Sequence, residues 1–177
     1  MGLGKTNKRK GSNAERYYVN IFKSLGYDKC VTARLGSRLH DNSKIDLINI
    51  PFNIQIKAGI QKGLNPGKEL FMMQSSMIAF FPSEDIVHTK PLILVHYKQG
   101  TSGKKRVPDD ELVYMSLRQF LKFKEKDETL EFSYEKTYKF DLQSEFKSIV
   151  GMTFEYFRDN IILKQYQNVN NNTTRED

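Results

Sequence analysis

The segment Lys44–Lys57, KIDLINIPFNIQIK, narrows what this chain can fold into more than any other stretch. Two apolar runs rich in β-branched residues flank a turn around Pro51, Phe52 and Asn53, which predicts two short strands joined as a hairpin. Side chains alternate between the faces of a strand, so Gln55 and Lys57 share one face while Ile54 and Ile56 share the other. Pairing of the two strands brings Asp46, at the head of the first, beside Gln55 in the second. An acid, an amide and a lysine then gather at one end of a small sheet. Oxygen ligands of this kind suit Mg²⁺, which keeps several of its waters. A lysine beside such a centre stabilises charge building on a phosphate. The same pattern also describes an ordinary hairpin with polar ends, so the remainder of the chain decides between the two.

At 177 residues the chain is long enough to bury a core and short enough to predict one domain. It has no apolar run of membrane-spanning length, so no membrane partner is expected. The N-terminal MGLGKTNKRK lacks a signal-peptide core. A sole cysteine, Cys30, forbids an internal disulfide and fits a reducing, cytoplasmic setting. Net charge is +7, unevenly spread. Residues 1–70 hold 13 Lys and Arg against 5 Asp and Glu, while residues 71–177 hold 15 against 16. The whole excess lies around the Asp46/Gln55/Lys57 cluster. A basic zone around a candidate metal site suits a polyanion, and nucleic acid is the commonest.

Along the chain, residues 1–11 read as a flexible basic arm. Ser12 or Asn13 caps a helix to about Leu25, with Ala14, Tyr18, Val19, Phe22 and Leu25 on its apolar face and Gly26 stopping it. Residues 28–35 read as a strand, Gly36–Ser43 as a polar loop and Gly59–Gly67 as a flexible loop. A Met-rich helix follows over 69–81, with Leu70, Met73, Met77 and Phe80 at helical spacing. Strands are expected over 91–97 and 112–115, with Ser116 capping a short helix. Residues 125–139 fit no element clearly. Asp141 is expected to cap a last helix to about Leu163, on a stripe of Leu142, Phe146, Ile149, Val150, Phe154, Phe157 and Ile161. Residues 165–177, rich in Asn and Thr, read as a disordered tail. His40, His88 and His96 have no partners at metal-ligand spacing. The order of elements predicts an α/β chain with a central mixed β-sheet flanked by helices.

Four segments in order, RKGSNAER (9–16), TARLGSR (32–38), KIDLI (44–48) and IQIKA (54–58), resemble the archaeal-type Holliday junction resolvases of the PD-(D/E)XK nuclease superfamily. The resemblance covers about residues 8–58 and extends weakly to the strand at 91–97. It implies a restriction-endonuclease-like fold over 12–164 and a metal-dependent, structure-selective endodeoxyribonuclease that cuts branched DNA. Glu15, Asp46, Gln55 and Lys57 match the catalytic positions. Glu15, Asp46, Gln55 and the carbonyl of Ile56 match the ligands of Mg²⁺, or of Mn²⁺ in its place. Arg34 and Ser37 match a segment that contacts the DNA backbone, and Arg16 matches an arginine following the helix acid. Lys8, Arg9, Lys10, Arg38 and Lys62 complete the expected DNA-binding set. Symmetric cutting of a four-way junction implies a two-fold homodimer.

One position departs from the family pattern. Glutamate usually stands two residues before the lysine, and here it is Gln55. An amide offers an oxygen without charge, which weakens the hold on a divalent ion. The resemblance therefore leaves two further readings open: a DNA-binding protein on the same fold with weak or no catalysis, and a repair- or restriction-type nuclease acting on duplex.

Overall fold

The computed structural model describes residues 3–59, 64–82, 85–97, 111–137 and 145–167. Helix α1 (Leu3–Ser24) opens the chain. It begins at Leu3, so the helix takes in most of the basic stretch expected to be a flexible arm, instead of starting at Ser12 or Asn13. Its end is set as the sequence indicates. Gly26 sits at φ +89°, where a residue without Cβ is unstrained. The Tyr27 amide donates to the Phe22 carbonyl at 3.0 Å and the Gly26 amide to the Lys23 carbonyl at 3.0 Å. The rings of Phe22 and Tyr27 lie 5.9 Å apart across this closing turn.

Strand β1 (Val31–Thr32) is shorter than expected, because the chain turns into helix α2 (Ala33–Gly36) and then α3 (Arg38–Asn42). The expected polar loop over 36–43 is therefore mostly helical. Strands β2 (Leu47–Ile48) and β3 (Asn53–Ala58) form the predicted antiparallel pair, with Leu47 opposite Ile54. The turn between them places Asn49 at φ +64°, and its side-chain amide donates to the Lys29 carbonyl at 2.8 Å. Helix α4 (Pro66–Phe80) starts three residues before the predicted Met-rich helix, with Asn65 accepting from the Lys68 amide at 3.0 Å. A short helix α5 (Asp85–Thr89) leads into β4 (Leu92–Tyr97), which runs parallel to β3. Strand β5 (Glu111–Ser116) is followed by α6 (Leu117–Lys124), capped by Ser116 as anticipated.

The last third corrects the sequence reading. Among the described residues, those from 145 to 153 of the expected helix form a 3₁₀ turn and a strand. Strand β6 (Tyr134–Thr137) lies within the unassigned 125–139 stretch, and a 3₁₀ turn (Glu145–Lys147) leads into β7 (Ser148–Thr153). Only after Thr153 does the chain become helical, as α7 (Phe154–Phe157) and a π-helical segment (Arg158–Gln167). Ile149 and Val150 fit helical spacing on paper, and Met152 follows them. In the fold they serve period 2: Val150 and Met152 face one side of the sheet and Ile149 the other. Pairing with both β5 and β6 decides the outcome. Residues 165–167, expected in a disordered tail, lie in the π-helical segment, and the Gln165 amide donates to the Phe123 carbonyl at 3.1 Å. The remainder of that tail, Asp141, Leu142 and Lys62 lie outside the described residues.

Among the described residues the sheet has seven strands in the order β1-β2-β3-β4-β5-β7-β6. Only the β3–β4 pair is parallel. One face carries the larger core: Ala14, Tyr18 and Phe22 of α1 with Ile54, Ile56, Val95, Val113 and Val150, joined by Phe120, Phe154, Phe157 and Ile161. Helix α4 covers the other face, where Leu70 packs with Leu94, Tyr114 and Ile149, and Met73 and Met77 pack with Ile45, Phe81 and Val87. Phe80, expected on this buried stripe, points out and is 42% exposed. This is the mixed α/β sheet flanked by helices that the element order predicts. No helix among the described residues is long and apolar enough to cross a membrane.

Gly151 in β7 shows why the sheet, not helical periodicity, governs this region. A Cβ there would meet the Tyr114 ring at 2.9 Å and the Tyr134 ring at 3.3 Å. Gly151→Ala is expected to destabilise the fold by about 1–3 kcal/mol, since two packed rings must move. Urea unfolding checks this, and a change below about 0.5 kcal/mol would show that the rings yield freely.

Candidate functional site

The site is built where β2 meets β3. The Lys44 backbone adopts φ +65°, an uncommon conformation for a lysine, in the turn that delivers Asp46. Asp46 then joins three segments. Its amide donates to the Ile54 carbonyl at 2.8 Å, its carbonyl accepts from the Ala33 amide at 2.8 Å, and its Oδ2 accepts from the Ile56 amide at 2.6 Å. Continuing the Leu47–Ile54 register by one residue sets Asp46 opposite Gln55. Gln55 and Lys57 lie on the face covered by α4, while Ile54 and Ile56 enter the α1 core as strand alternation requires.

Helix α1 supplies Glu15, buried at 5% exposure. The helix is held in place by a carboxylate that sequence reading overlooked. Glu111 accepts from the Tyr18 hydroxyl at 2.9 Å and the Tyr17 hydroxyl at 3.2 Å, linking α1 to β5. Arg34, at the start of α2, pairs with Glu15 at 3.0 Å, reaches Asp41 at 3.4 Å and donates to the Ser12 hydroxyl at 3.3 Å. The arginine expected on the DNA backbone is thus engaged within the protein, though its side chain stays 43% exposed. Ser37 caps α3, accepting from the His40 amide at 3.4 Å, and its hydroxyl lies 2.8 Å from the His40 ring.

Lys57 reaches a second unforeseen acid. Its Nζ lies 3.0 Å from Glu69 Oε2 in the first turn of α4. The sequence signal was available, because Asn65-Pro66 opens a helix and places Glu69 in its first turn. Arg9, Lys10, Arg16 and Arg38 are exposed. Arg9 and Arg16, seven residues apart, share a face of α1. The backbone of Lys8 belongs to α1.

Burial dominates the electrostatics. It pushes the Asp46 carboxyl up to about 7 against the Ile56 amide that stabilises its anion. Glu15 adds to the rise, while Arg34 and Lys57 oppose it. Glu15 is itself raised, again chiefly by burial, with Arg34 the main opposing influence. Gln55 is 6% exposed, and its buried Oε1 has no hydrogen-bond partner. An acceptor left in that state costs about 1–3 kcal/mol, so it marks a place where a missing donor or cation would be welcome.

Asp46 is thus the common point of these residues: it accepts from the Ile56 amide, lies opposite Gln55 and is influenced by Glu15, Arg34 and Lys57. No family model, curated protein or solved structure matches the chain. Its chemistry therefore rests on the side chains themselves. Among the described residues no cluster of three or more His, Cys, Asp or Glu is placed to hold a metal ion. A cation held here draws on two carboxylates, with the Gln55 amide oxygen and the Ile56 carbonyl as neutral ligands. That oxygen-only set suits Mg²⁺ or Mn²⁺ in kind. The three histidines have structural roles: His88 Nε2 lies 2.6 Å from the Phe81 carbonyl, His96 Nε2 lies 3.0 Å from the Gly59 carbonyl, and the His40 ring packs 4.8 Å from that of Phe81. Cys30 is buried, and burial lifts its thiol to about 11, far from a reactive thiolate.

The raised Asp46 fixes the sign of a pH effect. Its folded value lies above the unfolded one near 3.8, so the folded protein binds more protons between about pH 4 and 7. Stability from this group is therefore lost as pH rises through that window and is level above it. In EDTA, Asp46→Asn is expected to melt higher than wild type at pH 8, by about 2–8 °C, with the gap closing towards pH 5. A gap independent of pH would mean that Asp46 titrates like a surface acid.

Proposed function

We propose that this protein is a metal-dependent endodeoxyribonuclease acting on branched DNA, most simply a Holliday junction resolvase. One observation carries the reading: Asp46 at the head of β2 accepts from the Ile56 amide between Gln55 and Lys57 of β3, and it feels the charges of Glu15 on α1 and of Lys57. These are the positions at which the sequence resembles that nuclease family. The concentration of basic residues in the first 70 positions supports a polyanionic substrate.

In this reading Asp46, Gln55 and the Ile56 carbonyl, together with Glu15, would hold Mg²⁺ or Mn²⁺. The bound ion would supply positive charge at a phosphate oxygen and a water acidic enough to attack. Asp46 and Gln55 orient the reacting phosphodiester by fixing that position. Lys57 places an ammonium against the charge that builds on phosphorus. The water oxygen forms a new bond to phosphorus as the bond to the 3′-oxygen breaks. The attacking water gives up one proton to solvent and the leaving oxygen takes one from a water, giving a 5′-phosphate and a 3′-hydroxyl. Arg9, Lys10, Arg16 and Arg38 meet backbone phosphates, which position the duplex without reading its sequence. A second copy related by a two-fold axis would place two such centres on opposite arms of a junction.

A second reading has its own support. The uncharged Gln55, together with a Lys57 already paired to Glu69, also suits a protein that binds junctions without cutting them. A synthetic four-way junction with Mg²⁺ separates the two. The nuclease reading predicts nicked products from wild type and little from linear duplex. Asp46→Asn or Lys57→Ala is expected to lower the rate by about 10²-fold or more while junction affinity stays within a few-fold. Binding without cleavage by wild type would favour the second reading. Binding lost together with cleavage, in folded variants, would contradict the assigned roles.

A further inference from the structure

We propose that Glu69 supplies the carboxylate that β3 lacks at Gln55, and that the Lys57–Glu69 pair is the cation-free arrangement of the same centre. The inference rests on the metal-centre reading above and names a ligand that the resemblance does not.

Helix α4 lies over the face of β3 that presents Gln55 and Lys57, and its first turn approaches the end of that strand. The 3.0 Å contact between Lys57 and Glu69 shows how close, and both side chains are 24% exposed. The start of the helix is fixed in place. Pro66 and Gly67 are buried, Asn65 caps the first turn, and Leu70 packs under the sheet with Leu94 and Tyr114. A carboxylate in a first helical turn is also favoured by the helix dipole. Glu69 is thus a positioned anion, not a loose surface acid.

The charges of the centre explain why it matters. Glu15 is already paired with Arg34, so Asp46 is the one carboxylate of the expected ligand set without an ion pair at contact distance. Gln55 brings an oxygen but no charge, and that oxygen is buried with no partner. Among the described residues, Glu69 is the acid that contacts Lys57. Lys57 also acts electrostatically on Asp46, so the lysine lies between the two acids in effect. With a divalent ion beside Asp46 and Gln55, Glu69 exchanges the ammonium for the ion. Lys57 is then free for the substrate phosphate. The glutamate missing from the strand is replaced by one on the neighbouring helix, and the swap couples cation binding to release of the lysine.

The test is Mn²⁺ binding to the full-length protein at pH 8 without DNA, followed by electron paramagnetic resonance of the free ion, with Mg²⁺ as competitor. Asp46→Asn is expected to abolish binding. Glu69→Gln should raise the apparent dissociation constant about 10-fold or more, and Gln55→Glu in that background should return it to within about 3-fold of wild type. Circular dichroism and melting establish that each variant is folded. If Glu69→Gln binds as wild type does while Asp46→Asn does not, the metal centre stands and the role of Glu69 is overturned. If Gln55→Glu fails to rescue, Glu69 does not substitute for the strand position, and the proposal is likewise overturned. If wild type binds no Mn²⁺ at millimolar concentration, the metal reading and this inference fall together.

Discussion

The hydrogen bond from the Ile56 amide to Asp46 Oδ2, at 2.6 Å, is the interaction on which the site depends. It ties the head of β2 to the middle of β3 and fixes which residue faces which. A strand slipped by one position would send Gln55 and Lys57 into the α1 core and bring Ile56 to the α4 face. The same bond keeps a carboxylate in a place where burial disfavours its charge. A centre that holds an acid at a raised value, beside a buried acceptor with no donor, is one whose stability is given up locally. That is the expected condition of a functional site.

The rest of the fold can be understood as support for this arrangement. Helix α1 is anchored by Tyr17 and Tyr18 on Glu111, which holds the helix that carries Glu15. Arg34 joins α1 to the α2–α3 segment through Glu15, Ser12 and Asp41, so the first helix and this segment share one guanidinium. Helix α4 closes the opposite face and brings Glu69 to Lys57. Each contact reaches across from a different element, and none could be inferred from its own segment alone.

This also explains what was legible. The hairpin, the faces of β3 and the stop at Gly26 were legible because period-2 alternation and a glycine at positive φ are local properties. The mixed sheet flanked by helices followed from the order of such elements. The strand β7 was not legible. Ile149 and Val150 satisfy a helical stripe as well as a strand, and only pairing with β5 and β6 chooses between them. The start of α1 at Leu3 was obscured by its run of charged residues, and α3 by a polar sequence without an apolar face. Among the site residues, Glu15, Asp46, Gln55 and Lys57 were singled out in sequence; Asp46 lies opposite Gln55 and within electrostatic reach of Glu15 and Lys57. Asp41 and Glu111 were missed because an acid that pairs across elements carries no pattern of its own, whereas Glu69 could have been found from the Asn65-Pro66 helix start. Arg34 was identified as a surface contact and is found in an internal ion pair.

The most direct test of the account is a crystal of the protein soaked in Mn²⁺ and measured for anomalous scattering. The account predicts a single strong peak within coordination distance of Asp46, Gln55 Oε1 and the Ile56 carbonyl, at about 2.0–2.4 Å from each oxygen. A well-occupied peak elsewhere, with Gln55 Oε1 still unpartnered, would contradict it.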